Sequence, residues 1–151
     1  MENILKILPA SIEEYIKKLD NIDKLTEIRL RVSKSVFVYY GLKEIKTDVV
    51  VTKEDLVTIL KNVSSNSIYS VQQDINNGYI TVEGGHRIGI VGEIVWLDNK
   101  IKNIKNISSM NIRIAHEYIG VSDVIIDKIV TTTGIKNTII ISPPMCVKPP
   151  Y

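Results

Sequence analysis

Hydrophobic residues recur along this chain at two periods, and the switches between them mark the elements. Ile12, Tyr15, Ile16 and Leu19 fall three and four apart, on one face of a helix. Ser11-Ile12-Glu13-Glu14, following Pro9, reads as the capping box that opens it. Glu27-Ile28-Arg29-Leu30-Arg31-Val32 then alternates polar and apolar residues, the period of a half-buried strand. Val36-Phe37-Val38-Tyr39-Tyr40 predicts a second strand and Gly41 a turn, with short strands around Ile45 and at Val49-Val50-Val51 to follow.

Helical spacing returns after Thr52-Lys53-Glu54-Asp55, a second capping-box pattern, with Leu56, Ile59, Leu60 and Val63 as the apolar face. A further helix is predicted over 67–76, stopped by Asn77-Gly78. Strands follow over 79–82, 87–96 and 101–115, the last two joined at Asp98-Asn99. A helix over 122–132, ending at Gly134, and a final strand over 137–141 complete the pattern. This order predicts an α+β domain on a largely antiparallel sheet with flanking helices. We place that domain at residues 1–135 and read 136–151 as the opening strand and loop of a second one.

Composition narrows the class. The chain has 151 residues, 44% apolar and 24% charged, enough for one globular domain with a real core. Its net charge of +2 carries no strong signal for nucleic acid or anionic membrane. No apolar run reaches membrane-spanning length, and no secretory signal pattern is present. The single cysteine, Cys146, has no internal disulfide partner and fits a reducing compartment.

The last strand leads into Ser142-Pro143-Pro144-Met145-Cys146-Val147-Lys148-Pro149-Pro150-Tyr151. A buried strand, a turn and a Lys are parts of a nucleotide-binding P-loop, whose backbone N–H groups cradle phosphates. Ser142, Pro144 and Lys148 are its candidate nucleotide-loop residues. Val147, however, stands where a Gly is needed, and Pro149 where a Ser or Thr would bind Mg²⁺. Pro149 and Pro150 also lack the N–H groups that should face phosphate. Loss of one G from TGT GGT AAA ACC ACC TTA T would convert Cys-Gly-Lys-Thr-Thr-Leu into the Cys-Val-Lys-Pro-Pro-Tyr found at 146–151. The expectation is a severed loop without ATP chemistry of its own.

Other segments offer less. Gly84-Gly85-His86-Arg87-Ile88-Gly89-Ile90-Val91-Gly92 lacks the dinucleotide-loop spacing and reads as a glycine hairpin entering a closely packed strand. His86 and His116 lack companions at metal-ligand spacing and are expected at turns or on the surface. Only four arginines occur among nineteen Lys and Arg residues: Arg29, Arg31, Arg87 and Arg113. All four fall in strand-like stretches, where a planar charged fork suits phosphate or carboxylate. Arg29 and Arg31 point to one face, either solvated or an interface, while Lys100, Lys102 and Lys105 add charge to one hairpin. Few aromatics are interleaved, so no base-stacking platform is expected.

Several of these segments together resemble the stage III sporulation protein AA family. They are Glu27-Ile28-Arg29-Leu30-Arg31, Ser67-Ile68-Tyr69, Asn77-Gly78-Tyr79-Ile80-Thr81, Gly84-Gly85-His86-Arg87-Ile88-Gly89, Ser108-Ser109-Met110-Asn111-Ile112-Arg113-Ile114-Ala115 and Ile140-Ile141-Ser142-Pro143-Pro144. The resemblance spans nearly the whole chain; the Gly-Gly-His-Arg and Ser-Ser-x-Asn-Ile-Arg-Ile-Ala segments are its specific parts. It implies a relative of the hexameric ATPases of type II and type IV secretion, which join an N-terminal α/β domain to a RecA-like core. It further implies ATP and Mg²⁺ as cofactors of the full-length family, with none for this chain, since the family's Gly-Lys-Thr is Val147-Lys148-Pro149.

The same resemblance implies self-association into a ring and membrane-protein partners in a sporulation channel. It implies a mother-cell cytoplasmic location, with peripheral membrane association at the forespore through those partners. In related secretion ATPases, arginines of the N-terminal domain reach nucleotide across a subunit boundary, and Arg87 and Arg113 are the counterparts here. The arginine of position 113 has an alternative as a strand-end ion pair with Glu117. The expected function is an assembly or regulatory domain without turnover of its own. A nucleic-acid or channel-partner binding module on the Arg29/Arg31 face is the alternative.

Overall fold

The computed structural model describes residues 1–64, 72–97, 100–116, 120, 123–132, 134–139 and 141. The chain forms two compact units, Met1–Ala115 and His116–Tyr151. The first holds helices α1 (Glu2–Ile7), α2 (Ala10–Lys17), α3 (Lys53–Val63) and α4 (Gln72–Asn76). Its strands are β1 (Glu27–Arg31), β2 (Ser35–Tyr40), β3 (Lys43–Val50), β4 (Tyr79–Val82), β5 (His86–Leu97) and β6 (Lys100–Arg113). They form one six-stranded sheet in the order β3-β2-β1-β6-β5-β4, and every pairing is antiparallel. This is the α+β architecture that the alternation predicts.

Period-two alternation makes the sheet two-faced. Ile28 opposes Val38 and Ile112, Leu30 opposes Met110, and Ile88 opposes Ile80 and Ile112. All are buried and join one core with Ile4, Ile12, Ile16, Leu56, Ile59 and Ile75 from the four helices. The helices therefore cover that face alone. The opposite face has no cover among the described residues of this unit.

The helix starts differ from expectation in an instructive way. At α3 the capping box forms: Asp55 N donates to Thr52 Oγ1 at 3.1 Å and Thr52 N donates to Asp55 Oδ2 at 2.8 Å. At α2 it does not. Pro9 takes the N-cap position and its carbonyl accepts from Ile12 N and Glu13 N, leaving Ser11 inside the first turn. Helix α1 precedes it and was not foreseen, although Ile4 and Ile7 keep helical spacing and are buried. The short strands expected near Ile45 and Val49 are one strand, β3, offset against β2 by an irregularity between Ser35 and Phe37.

A second irregularity shapes the β5–β6 hairpin, between Val91 and Glu93. Gly92 is required there: a Cβ would lie 2.7 Å from the Lys105 carbonyl and 3.1 Å from the Ile107 Cα. Asn106 opposite takes a left-handed backbone, φ 47°, and its Nδ2 donates to Glu93 Oε2 at 2.8 Å. The predicted turn residues Asp98 and Asn99 and the first half of the helix expected over 67–76 lie outside the described residues.

In the second unit, α5 (Asp123–Ile129) runs into a minimal hairpin of β7 (Val130–Thr131) and β8 (Gly134–Ile135). The helix stops earlier than predicted because β-branched Val130 and Thr131 pair with Ile135 and Gly134 instead. The strand expected over 137–141 is not formed at 137–139 or at 141. Ile139 and Ile141 are 87% and 91% exposed. A strand needs ladder partners on its edges, and the described residues supply none at these positions.

Candidate functional site

The uncovered face of the sheet gathers all four arginines. Reading across the strands, the outer row is Glu44, Tyr39, Glu27, Arg113, Arg87 and Thr81. The next is Lys46, Phe37, Arg29, Asn111, Gly89 and Tyr79. Arg31, Ser109 and Val91 begin a third. The centre of this face is concave, about 930 Å³, and open to solvent.

Arg87 and Arg113 are direct cross-strand neighbours. Like charges placed so are destabilising unless something anionic is shared between them. Neighbours on opposite sides draw them apart. Arg87 lies 5.7 Å from the centre of the Tyr79 ring, a cation–π distance. Arg113 approaches the Glu27 carboxylate at 3.9 Å and stays 73% exposed. Glu117, the partner considered from sequence, lies outside the described residues. Among those described, Arg87 has no carboxylate partner within ion-pair distance, so two forks of positive charge face outward from adjacent strands.

Arg29 is held differently. Its Nε donates to Glu27, its Nη1 donates to Tyr39 Oη at 3.0 Å, and it stacks 4.3 Å from the Tyr39 ring centre. Tyr39 in turn donates to Glu44. The hydrogen bond with Glu27 holds the Arg29 guanidinium above its ordinary value, desolvation opposing it. The hydrogen bond to Glu44 and then desolvation raise the Tyr39 phenol, against the pull of Arg29. Arg31 makes no ion pair with the described residues, and Lys34 and Lys46 line the same concavity.

Two readings from sequence need correction. His86 is not a surface residue. It is 5% exposed at the start of β5, where its Nδ1 accepts from Ala115 N at 3.0 Å. The strand register turns its ring to the core side, in line with Ile88 and Ile90. Aromatic residues are also interleaved with the arginines, since Phe37, Tyr39 and Tyr79 share their face. They come from different strands, so spacing along the chain could not reveal them. Sequence reasoning also missed Asn111, whose Oδ1 is shielded from solvent without a hydrogen-bond partner.

Ser142, Pro144 and Lys148, the candidate nucleotide-loop residues, lie outside the described residues, as do Ser67-Ile68-Tyr69 of the resemblance. Among those described, no group of three His, Cys, Asp or Glu side chains is placed to hold a metal ion. No helix among them is long and apolar enough to cross a membrane.

The family model for "Sporulation stage III, protein AA" matches residues 1–150. Over 150 residues the chain is 28% identical to stage III sporulation protein AA of Bacillus subtilis (strain 168), covering 98% of this chain and 48% of that protein. The chain thus spans about half the length of that curated relative. With the family model matched over residues 1–150, the chain belongs to the stage III sporulation protein AA family.

Proposed function

We propose that this chain is the N-terminal assembly and regulatory domain of a sporulation-associated, secretion-type ATPase. In that reading the domain contacts a RecA-like core at a subunit boundary of a ring, and Arg87 and Arg113 face nucleotide phosphate there. The observation that carries it is the pair itself: two arginines opposite each other on adjacent strands, projecting from the sheet face that has no cover among the described residues of its unit. Such a pair is suited to phosphate, since each fork binds oxygens bidentately and stays charged at any working pH. Preorganised positive charge at that place would stabilise charge on a transferring phosphoryl group. Family membership supports the sporulation setting, and the half-length match to the Bacillus subtilis relative is what one part of a longer protein would give.

ATP and its Mg²⁺ belong, in this proposal, to the full-length protein. Val147, Pro149 and Pro150 withhold the glycine, hydroxyl and N–H groups that a phosphate loop uses, so this chain alone does not turn over ATP. The proposed place of work is the mother-cell cytoplasm, against the forespore membrane, with channel membrane proteins as partners. The alternative, a binding module for a channel partner, draws on the same face; a nucleic-acid role is disfavoured by the net charge of +2.

The experiment is steady-state ATP hydrolysis in a full-length relative that carries both arginines, beside the pure 151-residue chain. Replacing either arginine by Ala is expected to slow turnover by about 10³-fold, the scale of a phosphate-facing arginine. Unchanged turnover in both variants removes that role. Hydrolysis by the pure chain overturns the assignment of an inactive domain.

A further inference from the structure

We propose that the concavity around Gly89 and Asn111 receives an extended, acidic segment of a protein partner. This does not depend on Arg87 and Arg113 meeting nucleotide, because it rests on different residues of the face.

Gly89 sits inside β5 with β4 on one side and β6 on the other. Glycine in a doubly paired strand weakens it, and often marks a place where another backbone comes close. Nothing within the domain demands it. Its backbone is outside the left-handed region, and a Cβ would meet only Asn111, at 3.8 Å and beyond. The hollow is therefore kept open toward the outside. Asn111 lies directly across from Gly89 and lines the same concavity, and its Oδ1 lacks a donor. A native domain seldom leaves a shielded polar atom unsatisfied without a use for it.

A carboxamide offers one acceptor and one donor group side by side. In an extended chain the N–H and C=O of a single residue point to the same side, so they match it once the Asn111 side chain turns its shielded Oδ1 toward the hollow. The rim supplies the charge complementarity. Arg29, Arg31, Lys34 and Lys46 line the concavity beside Glu44, which already accepts from Tyr39, and Glu27 already pairs with Arg29; Arg31, Lys34 and Lys46 are the lining cations with no ion pair among the described residues. Arg29 and Arg31 are two residues apart on β1, roughly 7 Å from the strand rise, the repeat of alternate side chains in an extended peptide. Acidic side chains at that repeat meet the arginines in charge-assisted hydrogen bonds.

The test is fluorescence anisotropy of a fluorescein-labelled peptide of alternating Glu and Thr, with labelled oligo(dA) as the competing chemistry. The folded chain is expected to bind the peptide, more weakly as salt rises, and in preference to oligo(dA). Arg31→Glu, at an exposed position, is expected to weaken binding about tenfold or more. Gly89→Leu fills the hollow and is expected to abolish it. Asn111→Leu is expected to weaken it about tenfold while leaving the melting temperature equal or higher, because an unsatisfied polar atom is removed. A purely structural Asn would lower the melting temperature instead. Should Asn111→Leu fail to fold, Arg31→Glu and Gly89→Leu decide. The proposal is overturned if the wild-type chain ignores the peptide, if oligo(dA) binds as well or better, or if the folded variants keep full affinity.

Discussion

At the scale of single residues, the uncovered face is organised by who holds whom. Glu27 is mostly buried under its neighbours, 16% exposed, and serves Arg29 while standing near Arg113. Tyr39 links Arg29 to Glu44 through its hydroxyl. That link has a titration signature. Because the hydrogen bond to Glu44 raises the folded-state value, the Tyr39 contribution is complete below the ordinary tyrosine range. It is lost only as pH rises through the raised value, above about pH 10. Tyrosine Cζ NMR is expected to show Tyr39 titrating later than a free tyrosine, and Glu44→Gln to bring it back down. A Tyr39 midpoint indifferent to Glu44→Gln would mean that the link is not populated. The arginines were legible in the sequence as rare forks in strand-like stretches. Tyr79, Phe37 and Asn111 were not, because cross-strand register rather than spacing along the chain brings them beside those arginines.

At the scale of elements, alternation identified β1, β2, β4, β5 and β6, since one face of each is buried and the other is not. It failed where the signal belongs to a partner. The strand expected over 137–141 has the right residues, but hydrophobic content alone does not make a ladder, and Ile139 and Ile141 stand exposed. The capping box at Thr52 was read correctly, while that at Ser11 lost to Pro9, whose fixed backbone and carbonyl already cap α2. Strand β5 offers a sharp contrast between two glycines. Gly92→Ala pushes a Cβ into the Lys105 carbonyl and is expected to cost about 1–3 kcal/mol in urea unfolding. Gly89→Ala meets only ordinary contacts and is expected to stabilise by roughly 0.5–1 kcal/mol. If both substitutions destabilise alike, Gly89 is a packing residue and the hollow has no outside purpose.

At the scale of the whole molecule, the sheet of Met1–Ala115 carries helices on one side and has no cover on the other among the described residues of that unit. Charge balance over the chain hides this, since +2 overall includes four arginines on a single face. That asymmetry is the reason composition argued for an unremarkable globular domain and the fold argues for a docking surface. The match over residues 1–150 shows family membership, and the chain spans about half the length of its Bacillus subtilis relative. The most direct measurement is site-specific photo-crosslinking of this chain, or of a full-length relative at the matching positions, in sporulating cells. Benzoyl-phenylalanine placed at Phe37, on the arginine face, is compared with the same probe at Tyr15 on α2. The expected result is a strong crosslink from position 37 to an acidic stretch of another polypeptide, a neighbouring subunit's core or a channel protein, with little from position 15. Position 37 giving no adduct, or no more than position 15, would contradict the account.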